Sequence, residues 1–356
     1  MKFLVLSRPV VNAGDYLFTY RALELIKHLR PDVEIVSGHS SKDFELEYLN
    51  LFSAIIVAGG PVFNDRFLNR EALPILRKLY DLKPRVHFLC GGFYGDNSDV
   101  PYIYIYKYSK KVIDDLKFIE NAGGTFSVRD YITEAVLRNN GLSNIYMTGC
   151  SAWYAIEDAN KIYTAPTSIK KIVISDPGVT KVKNFHEKQY QQLVSVVFYI
   201  ISKFPNAHIK YTFNGGIYTK YSRDFNLRVA QFLKALNIEY YDISGSMKGF
   251  EIYDDCDLHI GYRVHSHIYC LSKCISTILI EEDARGAGVN EALGLPRIKN
   301  YSMKQEEKFI PNPYLLQQLD LYIDELEREK YSRIKFAIER MKDIYSKVLC
   351  PFIMRL

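Results

Sequence analysis

The chain has 356 residues, 48% of them hydrophobic and 24% charged, with a formal net charge of +5. That length allows two domains, each with its own core, and the balance is that of an ordinary globular protein. The basic residues are spread along the chain rather than gathered in a patch, which argues against a nucleic-acid partner, and no apolar run approaches transmembrane length.

The first apolar run, Met1 to Ser7, is followed at once by Arg8, Pro9 and Asn12. It is too short for a signal-peptide core and reads as a β-strand. Short apolar runs then alternate with helical patterns, the signature of βα units around parallel sheets. Strands are expected near Phe3–Leu6, Glu34–Val36, Ala54–Val57, Arg85–Leu89, Thr125–Val128 and Asn144–Met147, with helices at Tyr16–Leu29, Arg70–Tyr80, Lys110–Asn121 and Tyr131–Asn139. Glu157–Ser168 has no strong period and reads as a linker. The alternation restarts with strands Lys171–Ser175, His208–Phe213, Glu239–Ile243, Leu258–Gly261 and Ser276–Ile280, and with helices from about Glu187 to Lys203, over Asp224–Leu236 and around Phe250–Cys256. After Pro313 the chain reads helical almost to its end. The expected fold is α/β: two Rossmann-like domains, 1–160 and 168–312, in a GT-B-like arrangement with a central cleft. Helices in 313–356 close it and pack back on the first domain.

Chemistry-bearing residues gather where strands end and helices begin, which is where open α/β sheets bind ligands. Asn12, Gly14 and Asp15 follow the first strand; Asp15 either caps the next helix or faces the cleft with Asn12 to hold a hydroxyl. Gly59 and Gly60 follow the third strand, in either an ordinary turn or an anion cradle of exposed amides. Cys90-Gly91-Gly92 and Asn214-Gly215-Gly216 repeat the device, and none of these is a dinucleotide or P-loop motif. Arg129 either points into the cleft or pairs with Asp130, the expected cap of the following helix. The densest cluster is Gly261-Tyr262-Arg263-Val264-His265-Ser266-His267, at a strand-to-helix turn whose partial positive charge suits an anion. His265 and His267 are too closely spaced to share a helix face as a metal pair. Glu281-Glu282-Asp283-Ala284-Arg285 lies beside that cluster, as a group of proton acceptors or as a solvated loop.

Six cysteines, Cys90, Cys150, Cys256, Cys270, Cys274 and Cys350, form no CxxC pair, so neither a zinc site nor a disulfide framework is expected and a reducing cytoplasm fits. The 28 tyrosines and 20 phenylalanines serve packing first, though exposed aromatics also hold sugar rings.

In order along the chain, Asn12/Gly14/Asp15, Gly59/Gly60, Ser127/Arg129/Asp130, Gly261/Arg263/His265 and Asp283/Arg285 resemble the motif set of the polysaccharide pyruvyl transferase family. Departures are Arg285, where relatives often carry Lys, Val264, where they carry a bulkier residue, and His267, at a position often small. The resemblance implies transfer of a pyruvyl group from phosphoenolpyruvate to a sugar, forming a cyclic ketal and releasing phosphate without a metal or other cofactor. It gives Arg263, His265 and Asp15 catalytic roles: charge stabilisation, proton donation and activation of the acceptor hydroxyl. Asn12, Gly14, Gly59, Gly60, Arg129, Asn214, His267, Asp283 and Arg285 become substrate-binding candidates. It implies a cytoplasmic enzyme with a saccharide acceptor, often lipid-linked, and hence peripheral contact with membrane. Lys335, Arg340, Lys342 and Lys347 beside an apolar C-terminal stripe fit that contact, and a helix packed on the first domain explains the stripe equally well. A GT-B nucleotide-sugar glycosyltransferase and a non-catalytic glycan-binding relative are the alternatives; the Arg263/His265 pair argues against the second.

Overall fold

The computed structural model describes residues 1–95, 104–179, 182–219, 222–305 and 308–356. The first half folds around a parallel sheet in the order β2-β1-β3-β4-β5-β6. Its strands are β1 Lys2–Ser7, β2 Glu34–His39, β3 Ala54–Ala58, β4 Arg85–Gly91, β5 Phe126–Val128 and β6 Ile145–Met147. Every residue of β3 is buried, because covered parallel sheets have two dry faces and their strands read as unbroken apolar runs. The first helix, Ala13–Leu29, starts three residues earlier than its apolar period suggested. Leu17, Phe18, Ala22, Leu25 and Ile26 form its buried face.

The second half repeats the plan with β7 Lys171–Ser175, β8 His208–Phe213, β9 Glu239–Asp242, β10 Leu258–Gly261, β11 Ser276–Glu281 and β12 Ile298–Lys299. Their order, β12-β11-β10-β7-β8-β9, is that of a dinucleotide-binding sheet. In each sheet the strand order reverses at one place, between β1 and β3 in the first and between β7 and β10 in the second. Crossover helices leave those points in opposite directions and open a crevice at the strands' C-terminal ends. The two crevices face each other. The halves meet through Ala13 N–H donating to Asn214 O (3.0 Å), Gly245 N–H to Val11 O (2.7 Å) and Ala284 N–H to Gly95 O (3.2 Å).

Several expectations fail for local reasons. Arg70–Tyr80 is no α-helix: Pro74 lacks an N–H and cannot sit inside one, and the segment forms 3₁₀ turns at Pro74–Arg77 and Leu79–Asp81. The expected helical piece around Phe250–Cys256 is a 3₁₀ helix at Lys248–Tyr253. The two-residue β12 and the antiparallel pair Tyr301–Gln305 with Lys308–Pro311 were not foreseen, nor was the helix Ala284–Leu293, whose two glycines hide its period.

The C-terminal helices divide. Leu315–Arg328 packs on β12 and on the His186–Lys203 helix of the second half, while Cys350–Met354 reaches the first helix of the first half. The later part of the segment packs on the first domain, where Arg340 lies over the Tyr131 ring and Tyr345 against Tyr154. Ile334, Ile338 and Met341 are buried within the molecule, so this stretch of the apolar stripe is used internally rather than offered to a membrane. No helix among the described residues is long and apolar enough to cross one.

Candidate active site

The cleft between the facing strand ends holds a cavity of about 440 Å³, walled by both halves of the chain. From the first half come Asn12, Asp15, Phe18, Gly59, Gly60 and Arg129, and from the second Arg263, His265 and Arg285. A smaller recess shares Asn12, Arg129, Arg263, His265 and Arg285 with it and adds Asn214 and Asp283.

Arg263 leaves the end of β10 and forms a two-pronged pair with Asp176 at the end of β7, Nε–Oδ1 2.7 Å and Nη2–Oδ2 2.5 Å. The pair spans the second sheet's switch point. Burial works against the Arg263 charge, but the Asp176 carboxylate outweighs it and raises the pKa. The Val264–Ser272 helix begins immediately after Arg263 with no side-chain cap, so its positive end opens on the recess. Arg285 is held by Asp283 (Nη2–Oδ2 2.6 Å), whose Oδ1 also caps the Ala284–Leu293 helix through the Arg285 N–H (2.9 Å). Arg129 pairs with Asp130 (3.1 Å) while donating to Phe93 O (3.3 Å). The two readings of Arg129 thus hold together: it is ion-paired and it lines the cleft. Asp130 caps the Tyr131–Asn139 helix through the Thr133 N–H (2.7 Å) and lies against Gly288 of the second half, where a Cβ would strike its carboxylate.

His265, in the first turn of its helix, lies across the first turn of the Ala13–Leu29 helix. A Cβ at Gly14 would overlap the imidazole, and one at Gly59 would overlap Phe18, whose ring stands 5.5 Å from that of His265. Gly14 and Gly59 therefore let Phe18 and His265 reach the cleft wall. The anion-cradle reading of the glycine pair meets a difficulty, because the Gly59 N–H already donates to Leu89 O (2.7 Å). Gly60, at φ +76°, lines the cavity beside it. The helix cap is Asn12, which accepts from Gly14 N–H (2.8 Å). That frees Asp15, in the first turn, to face the cleft.

Charge states follow from these surroundings. Burial pushes the Asp15 carboxyl up to about 6, against the lowering pull of Arg285 and Arg263. Burial, then Arg129, Arg285 and Arg263, push the His265 imidazole down to about 3. The protein's own groups thus set a neutral imidazole beside a carboxyl that titrates close to neutrality, the reverse of what unperturbed values would suggest.

Of the expected ligands, His267 turns away from the cleft, and Asn214 borders the recess with its side chain already engaged. His267 is buried beneath its helix, where Nδ1 meets Thr277 Oγ1 at 2.9 Å. The same hydroxyl lies 2.7 Å from Nδ1 of His259, whose Nε2 lies 2.9 Å from Ser175 Oγ. Ser175 Oγ in turn accepts the Arg263 N–H (3.2 Å). His267 therefore braces the turn that carries Arg263. The Asn214 side chain is occupied by Asp176, Thr212 and Ser266, so it holds the switch point together. Glu281 is likewise buried, bound by Arg297 and Asn290.

Sequence reasoning missed Asp176, Phe18, Arg8, Arg66, Phe67 and Tyr94. Asp176 was findable, since it directly follows a strand at the second sheet's centre. The others sit in loops or inside a helix pattern and carry no signal of their own. Among the described residues, no group of three His, Cys, Asp or Glu is placed to hold a metal ion.

Two facing Rossmann-like halves with an anion-attracting cleft define a protein of the GT-B architecture. A search of the solved structures supports this. UDP-GlcNAc 2-epimerase from Neisseria meningitidis bound to UDP-GlcNAc aligns over 98% of this chain and 99% of its own, with TM-score 0.58 and 9% identity. S. aureus MnaA in complex with UDP aligns over 96% and 94% (TM-score 0.56, 10% identity). An E. coli structure described as trehalose-6-phosphate bound with UDP-2-fluoro glucose aligns over 97% of both chains (TM-score 0.53, 11% identity). At such identities the likeness is one of fold. A search of curated protein sequences found no significant match. The model of the polysaccharide pyruvyl transferase family matches residues 12–283, and the chain belongs to that family.

Proposed function

We propose that the protein transfers the pyruvyl group of phosphoenolpyruvate to two hydroxyls of one saccharide, forming a ketal and releasing phosphate. The observation that carries this reading is the convergence of Arg129, Arg263 and Arg285 with His265 and Asp15 on one cavity. Phosphoenolpyruvate bears a carboxylate and a phosphate, and guanidinium forks suit both. Arg263 and Arg285, held by Asp176 and Asp283, are pre-aimed and so lose little freedom on binding.

In the reaction the enol carbon C3 takes a proton and an acceptor oxygen bonds to C2. A second acceptor oxygen then bonds to C2 as the C2–O bond to phosphate breaks. One acceptor proton ends on the methyl carbon and the other on the phosphate. Asp15, poised near 6, takes a proton from the acceptor hydroxyl. His265 is neutral among its own neighbours, held down first by burial and then by three guanidiniums; the donor's negative charges offset the guanidiniums and so raise its affinity for a proton. The acceptor is a sugar of a cell-surface polysaccharide or its lipid-linked precursor, and the work is cytoplasmic.

Incubation with phosphoenolpyruvate and a saccharide panel, read by phosphate release and by the pyruvyl mass increment on the glycan, tests the proposal. Thermal stabilisation by a nucleotide sugar but not by phosphoenolpyruvate would overturn it in favour of glycosyl transfer.

A further inference from the structure

Five arginines line the large cavity: Arg8, Arg66, Arg129, Arg263 and Arg285. The inner three each have a carboxylate partner in Asp130, Asp176 and Asp283, so their charges are largely balanced before any ligand arrives. Arg8 and Arg66 are exposed at the cavity's outer part and form no ion pair among the described residues. They do not line the inner recess, which is bounded by Arg129, Arg263, His265 and Arg285. The two guanidiniums without a carboxylate partner therefore lie outside that recess.

An aromatic wall joins the two places. The Arg66 guanidinium lies 5.9 Å from the Phe67 ring centroid. Phe67 meets Tyr94 edge to face, centroids 6.4 Å apart, and the Arg285 guanidinium lies 5.2 Å from the Tyr94 centroid. Rings of this kind offer apolar faces to the C–H side of a sugar, and their rigid side chains lose little entropy on contact.

We propose that this outer compartment is an acceptor subsite for an acidic saccharide: one sugar ring lies on the Phe67/Tyr94 wall, and its phosphate or carboxylate is held by Arg8 and Arg66. The proposal rests on the pyruvyl-transfer reading, in which Arg263 and Arg285 hold the donor. Its consequence is selectivity for acceptors that carry a negative charge close to the hydroxyls being modified. Two guanidiniums at an open rim also steer such an acceptor toward the cleft, an effect that salt weakens.

The test is calorimetric titration of the full chain, without donor, with glucose 1-phosphate, glucuronate and methyl glucoside, and with the same three in the galactose series. The wild type is compared with Arg8→Ala, Arg66→Ala and the double variant; both sites are exposed, so folding is not at issue. The acidic probes should bind more tightly than the neutral glycosides, and each single variant should weaken them about fivefold to tenfold, the worth of an exposed charge-assisted hydrogen bond. The neutral glycosides should be unaffected, and phosphoenolpyruvate affinity should stay within about twofold of wild type. Tighter binding of the phosphate assigns a phosphorylated acceptor, and tighter binding of the uronate a carboxylate. Equal binding of charged and neutral probes, or an equal loss of phosphoenolpyruvate affinity in the variants, would overturn the subsite and leave pyruvyl transfer standing. Acidic probes that bind through Arg8 and Arg66 to a protein that ignores phosphoenolpyruvate would instead overturn pyruvyl transfer and leave the acidic-saccharide site standing.

Discussion

The Val264–Ser272 helix carries two histidines two residues apart, one on each side of the boundary between cleft and core. Both imidazoles are depressed from 6.5 to about 3, yet the causes differ. For His267 the cause is burial alone, and its neighbours are hydroxyls and another buried imidazole. For His265 burial is joined by three guanidiniums that face a cavity. A ligand cannot alter the first cause, but an anion in the cleft cancels part of the second. A shifted pKa therefore points to chemistry only where its cause is open to a ligand.

Removing Arg263 should break the cleft side most severely. Arg263→Ala leaves Asp176 buried without its counter-charge, and the expected result is a loss of transfer of about a thousandfold or more with destabilisation of about 3–5 kcal/mol. Arg263→Lys keeps the charge but not the fork, and should recover most of the stability and little of the activity. Equal recovery of both in the lysine variant, by denaturant melts and phosphate release, would mean that Arg263 only supports the fold.

The histidine pair sharpens the comparison directly. His265→Gln should cost about 10²- to 10³-fold in kcat with an unchanged unfolding midpoint. His267→Gln should do the reverse, costing about 1–3 kcal/mol of stability while transfer stays within severalfold. Phosphoenolpyruvate offsets guanidiniums that act on His265 and on Asp15 but none that acts on His267, so proton uptake on its binding near pH 6 should be unchanged in His267→Gln and reduced in His265→Gln and in Asp15→Asn. Titrations in buffers of different ionisation enthalpy read this out, and proton uptake undiminished in His265→Gln would assign it elsewhere.

The same contrast explains what could be read from the chain. Arg263, His265, Asp15 and Arg285 were legible because the α/β alternation fixes where strands end, and ligands bind at those ends. His267 was misplaced because neighbours on a helix point to different faces, and sequence spacing alone does not say which face meets the sheet. The part Asn214 plays in holding the switch point was not legible, because its partners, Asp176, Thr212 and Ser266, come together only when β7, β8 and the Val264–Ser272 helix pack. Gly14 entered the sequence reading as a substrate-binding candidate, and its structural part, room for the His265 ring, shows only once the two helices are brought together. The outer arginines carry no local signal, since an arginine in a loop acquires meaning only from the wall it faces.

Gly14 gives a smaller and cleaner probe. In Gly14→Ala the new methyl occupies the space of the imidazole but lies within a helix, where alanine is favoured over glycine by about 1 kcal/mol. Kinetics should show a kcat loss of about ten- to a hundredfold from a displaced His265, with stability held or slightly raised. A drop in unfolding midpoint with normal kcat would mean that the histidine ring is free to move away and that its position is not what the site needs.

The pH dependence of stability separates Asp15 from both histidines by its sign. A carboxyl raised from 3.8 to about 6 binds its proton more tightly in the folded protein than in the unfolded chain. The folded state therefore loses stability as pH rises between those values, up to about 3 kcal/mol and less where cleft water screens the charge. The depressed histidines act oppositely, since the unfolded chain takes up protons below pH 6.5 that the folded one refuses until about 3. Asp15→Asn should thus be more stable than wild type at pH 8 and equal to it near pH 3.5, while losing transfer. His265→Gln should gain relative stability only toward acid. If Asp15→Asn showed no gain at pH 8 in urea melts, the carboxylate would be satisfied by the cleft's own groups and would not be held in reserve for the acceptor's proton.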